Sequence, residues 1–99
     1  MYVSLSRLRV PSERADELVE AFRARVGLVD GFEGFVDLQV WQSDRDAGEL
    51  VMVSRWRDRE CFKTYMKSRE HSVSHGRIDP SLDAVIKLEK LEHMHVVAE

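Results

Sequence analysis

The sequence lacks the features that mark membrane, disulfide-rich and nucleic-acid-binding proteins. It has one cysteine and two prolines among 99 residues, and no apolar run near the roughly twenty residues of a membrane helix. The single cysteine, Cys61, cannot form an internal disulfide, so a reducing compartment, the cytoplasm, is expected. Fifteen Lys and Arg against eighteen Asp and Glu give a net charge of −3, so neither nucleic acid nor a membrane is an expected partner. The first residues follow a strand-like pattern and not that of a signal peptide.

What is present is the composition of a soluble, globular protein, with 43% apolar and 33% charged residues. The length fits one domain over residues 1–99 and excludes a separate cofactor domain. A chain this short buries roughly 60–65% of its unfolded surface, so we expect little interior volume for a ligand cavity of ordinary size.

Alternation of apolar and polar residues predicts strands over residues 2–10, 35–42, 50–56 and 91–97. In the second strand it places Val36, Leu38 and Val40 on one face and Phe35, Asp37, Gln39 and Trp41 on the other. The polar residues 43–49 predict a hairpin loop, so strands two and three should be antiparallel. The glycines Gly31 and Gly34 are interpreted as turn residues before strand two.

Two amphipathic helices are predicted between the strands. The first follows Ser12 as its N-cap and has a single apolar stripe, formed by Ala15, Leu18, Val19, Phe22 and Val26. The second is capped by Asp58, ends near Ser68, and has a short stripe formed by Cys61, Phe62, Tyr65 and Met66. Residues 78–80 should break the regular structure, and residues 82–90 fit either a short helix or the start of a long last strand.

The order β-α-β-β-α-β predicts an α+β, ferredoxin-like fold in which two helices cover one face of a four-stranded antiparallel sheet. The other face has no helix and should be an association surface. We therefore expect a homodimer whose sheets pack face to face, a dimeric α+β barrel, with a cleft between sheet and helices in each subunit.

The chain resembles the antibiotic biosynthesis monooxygenase family over nearly its full length. The resemblance rests on Arg9-Val10-Pro11, on Phe22-Arg23-Ala24-Arg25 with the following stretch 28–35, and on the stretch 53–62 around Trp56. In physical terms Trp56 closes strand three and is interpreted as a core residue under helix two. The resemblance implies a small monooxygenase, an oxidoreductase that acts on a flat, hydrophobic or aromatic molecule.

One branch of this family degrades haem with a strand-one asparagine, a helix-two tryptophan and an axial histidine. Carried over by position, the axial ligand falls on His75, and the other two positions hold Ser6 and Tyr65. Arg77 could pair with a carboxylate of bound haem. Because the amide and the tryptophan are replaced, the resemblance slightly favours oxidation without a cofactor, with His75 or His71 as the base, over haem binding.

The alternatives are a haem-degrading monooxygenase and a dimeric barrel that binds ligands or serves in stress without catalysis. Catalytic candidates are His75, Tyr65 and Ser6; haem-binding candidates are His75, for the iron, and Arg77. Zinc is not expected, since the pairs His71 with His75 and His93 with His95 lack a third ligand. Burial should raise the pKa of Cys61 and make the thiol inert. We expect the methionines to fill the core or the interface; they are Met52, Met66 and Met94. A solvated helix start of mixed charge is expected from Arg55, Arg57 and Arg59 with their acidic neighbours.

Overall fold

The computed structural model describes residues 1–68 and 78–99, apart from the side chains of residues 25–28. The segment 69–77, which carries His71, His75 and Arg77, lies outside the described residues. The elements are β1 (Tyr2–Arg9), a 3₁₀ turn (Ser12–Arg14), α1 (Ala15–Val29), β2 (Phe35–Gln42), β3 (Glu49–Trp56), α2 (Arg59–Met66), α3 (Pro80–Asp83) and β4 (Lys87–His95). No helix in these ranges has the length and apolar character to cross a membrane.

The four strands form one sheet in the order β2-β3-β1-β4, with every neighbouring pair antiparallel. This is the predicted ferredoxin-like topology. Along β1, Tyr2, Ser4, Ser6 and Leu8 point to the face under α1 and α2, which we call the covered face. Val3, Leu5, Arg7 and Arg9 alternate with them and lie on the uncovered face.

The predicted alternation of β2 is wrong at its start. Phe35 pairs with Trp56 while Asp37 pairs with the next residue, Arg55, so Val36 is an extra residue in a bulge. The bulge moves Phe35 to the covered face, the same face as Leu38, and leaves Val36 exposed.

The two helices begin differently. Ser12 does not cap α1, because residues 12–14 form a 3₁₀ turn and no side chain caps it or α1. The cap of α2 is confirmed, since Asp58 Oδ1 accepts a hydrogen bond from the Cys61 N–H at 2.9 Å. Asp58 thus satisfies one of the backbone donors left free at the first turn.

Residues 82–90 contain both structures that the sequence allowed, the end of a short helix and the start of the last strand. Asp79 caps the short helix α3, in which Pro80 takes the first position and so begins regular structure where the sequence predicted a break. β4 then starts at Lys87, four residues before the predicted strand.

The covered face contributes to two separate apolar clusters. The first surrounds Leu18 and Leu50, both fully buried, with Leu8, Phe22 and Leu82. The second surrounds Trp56 and includes Tyr2, Val29, Cys61 and Tyr65. The space between the clusters is the site described next.

Candidate functional site

A cavity of about 500 Å³ lies between the covered face of the sheet and helices α1 and α2. This volume is within the range of small-molecule sites, so the expectation of little interior space is wrong. The chain reaches this volume because the two apolar clusters do not meet over the middle of the sheet. The lining side chains are mostly apolar and aromatic, and they include Leu18, Phe22, Phe35, Leu38, Met52, Trp56, Phe62, Met66, Ile78, Ile86 and Leu91.

Trp56 is the centre of an aromatic wall at the α2 end of the cavity. Its side chain is 1% exposed, and its ring centroid lies 5.0 Å from that of Tyr65 and 5.8 Å from that of Phe62. Phe35 meets it edge to face at 5.5 Å. Trp56 is a core residue, as the sequence indicated, and it also borders the cavity.

The turn before β2 holds this wall in place. Gly34 has φ +80°, a conformation that favours glycine, and its carbonyl accepts a hydrogen bond from the Arg57 N–H at 2.7 Å. A Cβ at Gly34 would lie 2.5 Å from Cys61 Cβ and against its sulfur. Glycine is therefore required here for both backbone and space, whereas a Cβ at Gly31 would meet nothing within 4 Å.

Two of the predicted catalytic residues border this cavity. Ser6 lies on its floor and Tyr65 in its wall, where Tyr65 is 8% exposed. The structure therefore brings these two side chains to one site, although their roles stay predictions. His75 and Arg77 lie outside the described residues, but in the sequence they closely precede Ile78, which lines the cavity.

His93 and Ser4 are site residues that the sequence pattern did not predict. Both line the cavity and are paired across β1 and β4. The His93 ring stacks on Tyr2 with centroids 5.7 Å apart and tilts over Phe62 at 5.4 Å. Strand alternation placed His93 and His95 on one face, but only the pairing of β4 with β1 shows that this face is the covered one.

The cavity opens along β4. Leu88 and Leu91 line it and yet are 58% and 52% exposed. Asp83 provides a carboxylate among the lining residues, and no group of three or more potential metal ligands occurs in the described ranges.

The start of α2 carries the strongest electrostatic effects near the site. Hydrogen bonds from the Cys61 backbone and side chain and from Arg57 lower the pKa of Asp58 to about 2. Burial, with the hydrogen bond to Asp58, raises the pKa of the Cys61 thiol, in the direction predicted. Arg57 Nε lies 3.1 Å from Asp58, and Arg55 Nε lies 3.6 Å from Asp37. These arginines are paired with carboxylates, as a mixed-charge surface requires.

Fold and site together define a ferredoxin-like domain with a largely apolar and aromatic cavity. The chain belongs to the antibiotic biosynthesis monooxygenase family, whose model matches residues 1–77.

Proteins with two different chemistries are similar to this chain. The haem-degrading monooxygenase HmoA of Bacillus subtilis is 29% identical to this chain. The alignment covers 100% of this chain and 95% of HmoA. A structure of the haem-degrader MhuD from Mycobacterium tuberculosis, with two haems in its active site, superposes with a TM-score of 0.82 at 22% identity over 100% of this chain and 98% of that chain. A structure of SnoaB of Streptomyces nogalater, a cofactor-independent oxygenase, superposes with a TM-score of 0.81 at 13% identity. The superposition covers 99% of this chain and 94% of the SnoaB chain. Such structural likeness shows the fold.

Proposed function

We propose that this protein is a haem-binding monooxygenase that oxidises haem in the cavity of about 500 Å³. The observation that carries the proposal is the cavity itself, an open, largely apolar and aromatic space on a sheet floor. The similarity to HmoA over the full chain supports haem over other flat molecules. We place the protein in the cytoplasm, in accord with its single cysteine.

The described residues fit a porphyrin in shape and chemistry. Trp56, Phe62 and Phe35 would pack against an apolar ring and exclude water from it. The opening along β4 would leave the charged edge of the ligand in solvent. When bound, haem would supply an oxidisable ring and an iron atom that activates oxygen.

The roles of the chain's polar residues follow from the family resemblance and from the cavity. We assign His75 as the iron ligand and Arg77 as the partner of a haem carboxylate. By the family resemblance Ser6 and Tyr65 stand where the haem-degrading branch has an amide and a tryptophan, and we assign to their hydroxyls the role of holding a proton or a polar atom in the cavity.

Haemin titration tests this proposal. We expect a Soret shift on binding that is lost in His75→Ala and kept in His95→Ala, since His95 is outside the described lining of the cavity. Reductant and oxygen should then bleach the Soret band of the loaded protein. A wild-type spectrum that equals free haemin would refute haem binding.

Ser6 and Tyr65 favour a second candidate, oxidation of an acidic aromatic substrate without a cofactor. His75 or His71 would then remove the substrate proton near neutral pH. SnoaB, a cofactor-independent oxygenase, has a similar fold. Oxygen uptake by haem-free protein, lost in the double variant His71→Gln and His75→Gln, would support this candidate; no uptake with a panel of acidic phenols would contradict it.

The proposal includes a homodimer formed by two uncovered faces. Trp41 and Met94 lie on this face and are each 47% exposed. Asp37 on the same face is ion-paired with Arg55, whose Nε lies 3.6 Å from Asp37 Oδ1. A second sheet would cover the apolar side chains of this face.

A further inference from the structure

A row of polar side chains crosses the mainly apolar floor of the cavity. Strand registers place Ser4 directly between Ser54 on β3 and His93 on β4, and all three line the cavity. Directly opposed residues have Cβ atoms about 5 Å apart, so one ligand atom can reach two of these side chains. The next row along the strands, Met52, Ser6 and Leu91, is mainly apolar.

Ser4 is the informative member of this row. It is 6% exposed, and its hydroxyl forms no hydrogen bond within the described part of the chain. The Ser4 oxygen is not among the buried polar atoms without a partner in the described residues, so it is open to the cavity, where a ligand atom or water can reach it. Ser4 borders the cavity, so its partner would be there.

Contacts within the chain orient both neighbours of Ser4. Ser54 Oγ accepts a hydrogen bond from Trp56 Nε1 at 3.1 Å, which uses one acceptor position of this oxygen and leaves its O–H free to donate. The His93 ring contacts Tyr2 and Phe62, although the residue is exposed. These contacts orient the ring at the open edge of the cavity, and its nitrogens form no hydrogen bond within the described residues.

We propose that Ser4 and His93 are the hydrogen-bonding anchor of the cavity and bind an oxygen atom of a flat, apolar ligand. The Ser4 O–H donates to this oxygen, and a His93 ring nitrogen makes the second polar contact. The inference rests on the proposed function, because it uses the same cavity, but it holds for haem and for any other flat ligand with a hydroxyl, carbonyl or carboxylate oxygen. Neither residue was a candidate in the sequence.

A matched pair of probes, pyrene and 1-hydroxypyrene, isolates the oxygen contact. We expect wild-type protein to bind 1-hydroxypyrene roughly three- to tenfold more tightly than pyrene, the value of one or two net hydrogen bonds. Ser4→Ala should remove most of this preference. His93→Phe, which keeps a ring against Tyr2 and Phe62, should reduce it, while Ser12→Ala and His95→Phe should leave it unchanged.

Stability of the ligand-free protein separates this role from a structural one. The Ser4 hydroxyl forms no hydrogen bond within the described residues that Ser4→Ala would break, so this variant should unfold at the same temperature as wild type or higher. A lower unfolding temperature for Ser4→Ala, or a preference for 1-hydroxypyrene that is absent in wild type or intact in Ser4→Ala, would overturn the anchor. Haemin binding that persists beside such a result leaves the proposed function standing; failure of haemin and both pyrenes removes the two together.

Discussion

Gly34 offers the sharpest test of how the turn before β2 positions the aromatic wall. We predict that Gly34→Ala destabilises the protein through two separate costs. The left-handed backbone at φ +80° costs an L-residue about 1–2 kcal/mol. The added methyl would lie 2.5 Å from Cys61 Cβ, and relieving such overpacking in a buried site costs about 1–3 kcal/mol.

The sum is about 2–5 kcal/mol, a large part of the 5–15 kcal/mol that stabilises a typical domain. For a domain of this size each kcal/mol lowers the unfolding temperature by roughly 4–8 °C. We therefore expect a fall of about 10 °C or more, measured by circular dichroism at one fixed protein concentration, because a dimer makes the midpoint concentration-dependent.

Gly31→Ala is the matched control, since it makes the same change three residues earlier in open space. It should leave the unfolding temperature within a few degrees of wild type. Adding Cys61→Ala to Gly34→Ala should restore only part of the loss, because it removes the sulfur and leaves the Cβ contact. Equal unfolding temperatures for Gly34→Ala and Gly31→Ala would show that the reasoning about this turn is wrong.

Three further predictions concern the start of α2 and the uncovered face. The pKa of Asp58 is lowered from its ordinary value of 3.8 to about 2. The ionised Asp58 therefore contributes its full stabilisation above about pH 4, and this stabilisation is lost as the pH falls toward 2. Asp58→Asn should remove this part of the acid-unfolding curve while keeping a helix cap. Cys61 is buried with a raised pKa, so a thiol reagent at pH 8 should label it far more slowly in folded than in urea-unfolded protein; equal rates would contradict its burial. Trp41→Lys with Met94→Lys should halve the mass found by light scattering, whereas Val97→Lys, 93% exposed beyond β4, should not; an unchanged mass in the double variant would exclude this face as the interface.

The sequence predicted the strands and the cap of α2 well because each depends on local chemistry. Asp58 precedes an apolar stripe, and a carboxylate before free backbone donors is a strong signal. Strand alternation depends only on which residues share a face. The bulge at Val36 could not be found in this way, because it depends on how β2 pairs with β3.

The site was predicted less completely for a related reason. Ser6 and Tyr65 were found through a family resemblance, but Ser4 and His93 become neighbours only through the pairing of β1 with β4. The cavity volume follows from the separation of two apolar clusters, and no local pattern in the sequence reports that separation. Composition and length predict only the interior volume of an average protein of this size, and the cavity of this protein is larger than that average.

The division of the interior has a consequence for cooperativity. The cavity is lined by Leu18 and Phe22 from one cluster and by Trp56 and Tyr65 from the other. A ligand that fills it would contact both clusters and add apolar contacts between them. Amide hydrogens around both clusters should then exchange more slowly and at more similar rates when ligand is bound. In this small protein a bound molecule would be a shared part of the hydrophobic core, and its release would remove the contacts that it adds between the two clusters.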